Sequence, residues 1–227
     1  MNAFIFAYTL LILFTCMTAA VFSLTAGSVL HDREFVPQAL FFMLYCCDLM
    51  VIFQNEWLLQ SVPFDPAGYY RVENAPFRIA FVAVQLACLV QMLMVEADQS
   101  GFLDIFVSVV FFVVASGLTL VLIPEGKWQQ WAFYSMRQVF VAIALAWSYR
   151  RARKAGKRTP IRGFWVVCAL VAAVFVEDCV VILAIPPSAV QSDFMLYLSE
   201  RNFSENILML YAAWLASREA IEYIRAR

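Results

Sequence analysis

The chain alternates between long runs nearly free of charge and short segments where charge, proline and glycine gather. Seven runs, at approximately 2–25, 36–58, 76–96, 102–123, 129–150, 162–185 and 203–224, reach the roughly 20 apolar residues that a helix needs to cross about 30 Å of hydrocarbon. Backbone polar groups in lipid must be satisfied within their own segment, and no ten-residue alternation marks a barrel strand. The pattern therefore predicts an all-α fold, a single bundle of seven transmembrane helices over residues 1–227. Proline agrees with these bounds. Pro63, Pro66, Pro76, Pro124, Pro160, Pro186 and Pro187 lie between runs or in a first turn, and Pro37 sits at a helix start, where its missing N–H is harmless. Gly117, beside Ser116, lies deep inside a run and suggests a close helix contact.

Composition removes the soluble alternative. With 63% hydrophobic and 15% charged residues, the chain lacks the charge to cover a water-facing surface. No Lys or Arg precedes the first apolar run and that run continues to spanning length, so it reads as a retained helix, not a cleaved signal. The six cysteines all fall in apolar runs without a Cys-x-x-Cys pair, which argues for packing rather than a disulfide framework.

Charge then orients the bundle. The connector RRARKAGKRTPIR carries Arg150, Arg151, Arg153, Lys154, Lys157, Arg158 and Arg162, whereas other short connections hold at most one or two positive residues. By the positive-inside rule it belongs in the cytoplasm, which places the N-terminus outside and the C-terminus inside a plasma (inner) membrane. Its place beside two spans explains the basic run without nucleic-acid contact. The longest outer connections are 59–75 and 186–202; in the latter, AVQSDFMLYLSE is expected to form a short helix in the interface.

Charges at bilayer depth cost roughly 2.5 to 3.5 kcal/mol each on insertion scales, so they face the bundle interior and take partners. Counting along the helices puts Asp48, Gln85, Arg137 with Gln138, and Glu177 with Asp178 in one layer, roughly 10 to 15 Å below the outer surface. Arg137 is expected to pair with Glu177 or Asp178, only one of which can face it squarely because adjacent helix residues point about 100° apart. Asn55 and Glu56 continue the Asp48 face of the second span outward, Arg78 shares a face with Gln85, and Tyr134 shares one with Arg137 and Gln138. Together these residues describe a polar funnel open to the outside, a candidate ligand pocket. A packing-only network that sets helix register is the competing account. Asn202 and Glu205 have the spacing of a reciprocal N-cap, and Arg218, Glu219 and Glu222 read as solvated helix-end charges.

Several chemistries are excluded. A retinal Schiff base needs a lysine in the last helix, but the lysines are Lys127, Lys154 and Lys157, outside the spans. The single histidine, His31, lies in a short inner turn, so neither a multi-histidine metal site nor a serine-histidine catalytic centre can be assembled. No cofactor, no metal and no enzymatic activity are expected. The paired proline- or glycine-broken helices of many transporters are absent, although a cation- or proton-coupled solute transporter of unbroken helices stays open, as does a structural or assembly subunit.

The segments SVLHDREFVPQALFFMLYCCDLM and AWSYRRARKAGKRTPIRGFWVVCALV resemble bacterial seven-helix receptor modules, similar to the membrane region of receptors with diverse intracellular signalling modules. That family commonly carries an outer domain before its first helix and a kinase, cyclase or DNA-binding domain after its last, and neither lies within these residues. The Asp-Arg-Tyr and Asn-Pro-x-x-Tyr signatures of eukaryotic G-protein-coupled receptors are absent. The resemblance implies a sensor or receptor in which a small ligand changes the Arg137 pairing and the signal leaves through the inner loop and the last helix, toward a cytoplasmic partner or a fused output domain.

Overall fold

The computed structural model describes residues 3–29, 35–53, 75–95, 102–124, 126–184 and 203–226. Among these the protein is entirely α-helical, in seven helices: α1 (Ala3–Val29), α2 (Phe35–Phe53), α3 (Ala75–Val95), α4 (Phe102–Leu122), α5 (Lys127–Lys154), α6 (Phe164–Asp178, continued by a π-helical turn over Cys179–Ala184) and α7 (Phe203–Ala226). Each lies on one of the seven apolar runs. Three contain stretches long and apolar enough to cross a membrane, Ala7–Ser28, Ile105–Leu122 and Phe164–Leu183.

Local chemistry explains the ends. Pro37 and Pro76 occupy first turns, and Pro124 stands two residues past the end of α4. The Gln129 side-chain amide donates to the carbonyls of Leu120 and Ile123, both at 2.9 Å, closing the α4–α5 corner. A Schellman stop ends α5: Gly156 adopts φ +77°, its N–H reaches the Arg153 carbonyl, and the Lys157 N–H reaches that of Ala152. Gly163 opens α6 at φ +67°, where a Cβ would also collide with the Tyr211 hydroxyl of α7. Within α1 the hydroxyls of Thr15, Thr18, Ser23, Thr25 and Ser28 all donate to carbonyls four residues back, so these polar groups are satisfied inside the helix itself.

The helices close into a ring. Each packs on the next in sequence, α7 returns to α1, and α3–α5 and α2–α7 contacts tighten the circle. Small residues allow the α1–α7 closure: Cys16, Ala19, Ala213 and Ala216 are buried in one cluster, and Ala26 with Ala220 in another. Because α3 touches α5, α4 is pushed to the periphery, and only 17% of its apolar stretch is buried. Large apolar side chains consequently point away from the protein, among them Phe14, Phe111, Val121, Ile143 and Trp165.

Candidate functional site

The site begins where α7 begins. The first backbone N–H groups of a helix have no partner within it and carry partial positive charge. In α7 the N–H groups of Phe203 and Ser204 donate to Glu177 Oε1 and Oε2, each at 2.6 Å, so a carboxylate from α6 caps the helix. At the following residue, Arg137 Nη2 of α5 donates to Glu205 Oε2 at 2.5 Å. The next residue, Asn206, is fully buried and accepts a hydrogen bond from the Tyr45 hydroxyl of α2 at 2.9 Å. The Tyr8 ring of α1 lies 5.6 Å from that of Phe203. Four other helices thus converge on the first turn of α7. Buried Asp178 is close enough for its charge to act on Arg137.

One expectation is corrected here. Arg137 takes Glu205 as its hydrogen-bonded ion partner, not Glu177 or Asp178. Glu177, for its part, accepts from the first two N–H groups of α7, while Asn202, expected to cap that end together with Glu205, lies outside the described residues. The reason is geometric. Glu177 stands two turns before the end of the α6 π segment, yet it reaches the start of α7, so α7 begins recessed relative to α6 and Glu205 comes level with Arg137.

Inside the ring lies a cavity of about 640 Å³. Gln85, Arg137, Gln138 and Glu205 line its polar end. A middle section is walled by apolar side chains such as Phe42, Leu89, Val141, Val171 and Met209. At the other end, exposed Lys157, Arg162, Arg218, Glu219 and Glu222 form a charged rim. There Glu222 accepts from Arg162 Nη1 at 2.8 Å and from Arg218 Nε at 2.7 Å, tying the basic connector to α7. No family model, curated protein or solved structure matches the chain. What it does must therefore be argued from the cavity and its charges.

Of the residues singled out in the sequence, Gln85, Arg137 and Gln138 line the cavity together. Glu177 and Asp178 stand behind it, at the cap and near the Arg137 charge. Tyr134 is half-buried on α5, edge-on to Phe133. Asp48 and Arg78 belong to α2 and α3, but their side chains, like Asn55 and Glu56 altogether, lie outside the described residues. The expected funnel ran toward that outer side. The outer connections lie outside the described residues, and the described cavity extends to the end bearing the basic connector, where Ala212 and Ala216 of α7 leave room in the ring. Arg162, Arg218, Glu219 and Glu222, read as solvated end charges or part of an orienting loop, prove to border it.

Glu205, Tyr45 and Asn206 were missed. Tyr45 lies three residues before Asp48, one helical turn away, so extending that face inward points to it. Glu205 and Asn206 are adjacent polar residues ahead of an apolar run, a signal that the local capping pattern masked. Among the described residues no group of three His, Cys, Asp or Glu side chains is clustered to hold a metal ion.

Proposed function

We propose that this chain is a seven-helix membrane receptor module, with its N-terminus outside and its basic connector and C-terminus in the cytoplasm, that binds a small ligand within the helix ring. The observation that supports it is the shared anchoring of the cavity's two ends. The helices that meet at the polar end, α5 through Arg137, α6 through Glu177 and α7 through Glu205, meet again at the rim, where Arg162 of the α5–α6 connector pairs with Glu222 of α7. From Glu205 to Glu222 α7 runs about 25 Å as one continuous helix. A ligand that alters the Arg137–Glu205 contact moves the start of this lever, and the exposed Arg162–Glu222–Arg218 cluster reads the displacement at its far end. A ligand acts in this way only by binding two bundle arrangements with different affinity.

A cation- or proton-coupled transporter is the second reading. It is favoured by the π-helical turn of α6 directly after Glu177 and Asp178, because such turns interrupt regular hydrogen bonding and occur often at functional sites.

Spin labels attached through encoded residues at positions 158 and 225, both exposed, test the receptor reading without a ligand. Two distance populations are expected, with their ratio changed by Arg137→Met. A single population that this substitution leaves unmoved sinks the receptor. Proton uptake by reconstituted vesicles that is lost in Glu205→Gln selects the transporter instead.

A further inference from the structure

The cavity's own chemistry specifies a class of ligand. It stretches about 25 Å along α7, between Glu205 and the Glu222 rim, within a volume of only about 640 Å³. A ligand that reaches both ends must be long, and the middle section it crosses is walled by aliphatic and aromatic side chains. Both ends are polar, and they differ. The rim carries Lys157, Arg162 and Arg218 against Glu219 and Glu222, an excess of positive charge, and the rest of the basic connector adjoins it. A guanidinium has five N–H donors, and Glu222 takes one from each of Arg162 and Arg218. This mouth suits an anion.

The opposite end suits a neutral hydrogen-bonding group. Gln138 lines the cavity, is 5% exposed, and its Oε1 has no hydrogen-bond partner among the described residues. A buried polar atom left in that state is unfavourable, so a ligand that supplies a partner gains by it. A hydroxyl is the smallest group able to do so, and because it both donates and accepts it suits either orientation of the amide. A second anion is disfavoured there, because Glu205 already pairs with Arg137 and Asp178 lies close behind.

We infer that the cavity binds a long-chain hydroxy acid, its carboxylate held at the Lys157–Arg162–Arg218 rim, its alkyl chain in the apolar middle section and its distal hydroxyl on Gln138. This rests on the receptor reading for its consequence but not for its geometry.

The test uses the full chain in lipid nanodiscs, tritiated ω-hydroxypalmitate as probe, and empty nanodiscs as the measure of simple partition into lipid. Saturable binding above that background is expected. Palmitate, which lacks the hydroxyl, should compete about tenfold less well, the equivalent of one hydrogen bond. The methyl ester of ω-hydroxypalmitate should lose at least as much, because it has no charge to offer the rim. Arg162→Gln should weaken the acid while leaving hexadecanediol unaffected as a competitor, and Gln138→Leu should erase the preference for hydroxypalmitate over palmitate. The competitor series on the unaltered chain keeps the test decisive even where a variant folds poorly. Binding no greater than in empty discs overturns the inference, as does equal competition by palmitate or by the ester. Lysophosphatidate competing as well as the hydroxy acid overturns it in favour of a bilayer phospholipid. The distance measurement between positions 158 and 225 involves no ligand, so two populations without acid binding remove the ligand class alone. Acid binding with a single unmoving population removes the receptor and leaves the site.

Discussion

Arg137 and Glu205 carry the polar end of the cavity, and the way they are buried sets what their removal does. Their side chains keep 31% and 17% of their surface accessible, much of it facing the cavity that both line. Removing one partner of a buried pair strands the other charge, whereas replacing both with apolar groups is often close to neutral. Glu205→Gln is therefore expected to lower stability by about 1 to 3 kcal/mol, less than a fully dry pair because part of each group remains accessible. The double substitution Arg137→Met with Glu205→Leu should recover most of that loss. Thermal melting of the unaltered chain, Arg137→Met, Glu205→Leu and the double variant in one detergent checks it, and a double variant that melts below both singles counts against the account. Glu222, exposed on the rim, provides the contrast: Glu222→Gln should leave the melting temperature where it was, since exposed ion pairs contribute little. At this scale the sequence pointed correctly to Arg137 as a residue in need of a carboxylate. Its partner was not legible, because choosing among Glu177, Asp178 and Glu205 depends on how deep α7 starts, and no local pattern encodes that depth.

Helix α7 owes its recessed start to a carboxylate on another helix. Glu177 reaches across 26 and 27 residues of sequence to bind two N–H groups at once, combining hydrogen bonds with the favourable placement of negative charge at a helix N-terminus. Glu177→Gln keeps the shape but has one carbonyl oxygen and no charge, so it can hold those two N–H groups only weakly. A loss of about 1 kcal/mol is expected, confined to the first turn of α7. Hydrogen exchange should accelerate at residues 203 and 204 and remain unchanged through Lys127–Lys154; uniform acceleration would mean that Glu177 supports the whole ring instead. The helices themselves were largely visible beforehand, because an apolar run bounded by proline has few other solutions. The run at 102–123 became Phe102–Leu122, and that at 203–224 became Phe203–Ala226. Departures occur where tertiary contacts extend or distort a helix. α5 continues through Arg151 to Lys154, with the Arg151 guanidinium stacked 3.6 Å over Trp147, although the apolar run stops near 150. The π-helical turn at Cys179–Ala184, where the Trp131 indole donates to Cys179 Sγ at 3.2 Å, leaves no mark in an uninterrupted apolar stretch.

On the scale of the whole molecule, the outward-facing surface and the charged connector make one joint demand. Apolar side chains cover the outside of the ring, from Phe14 on α1 through Phe111 on α4 to Trp165 on α6, and contiguous apolar surface of this extent calls for a covering of lipid or protein. Seven helices in a ring leave Lys127 and Leu183 near one face and the 155–163 connector at the other, so the side taken by that connector decides which solution the cavity's charged rim meets. The connector's arginines and lysines favour the cytoplasm. Arg158→Cys, in a chain whose exposed Cys47 is replaced by serine, should react with a membrane-impermeant maleimide in inside-out vesicles and not in right-side-out ones. Cys16, Cys46 and Cys88 are buried in the bundle and should stay unreactive in both. Reaction in right-side-out vesicles would turn the rim toward the exterior. The cavity and its ligand chemistry would survive that result, but the route by which a signal leaves the protein would not, because the mouth and the end of α7 would then face away from any cytoplasmic partner.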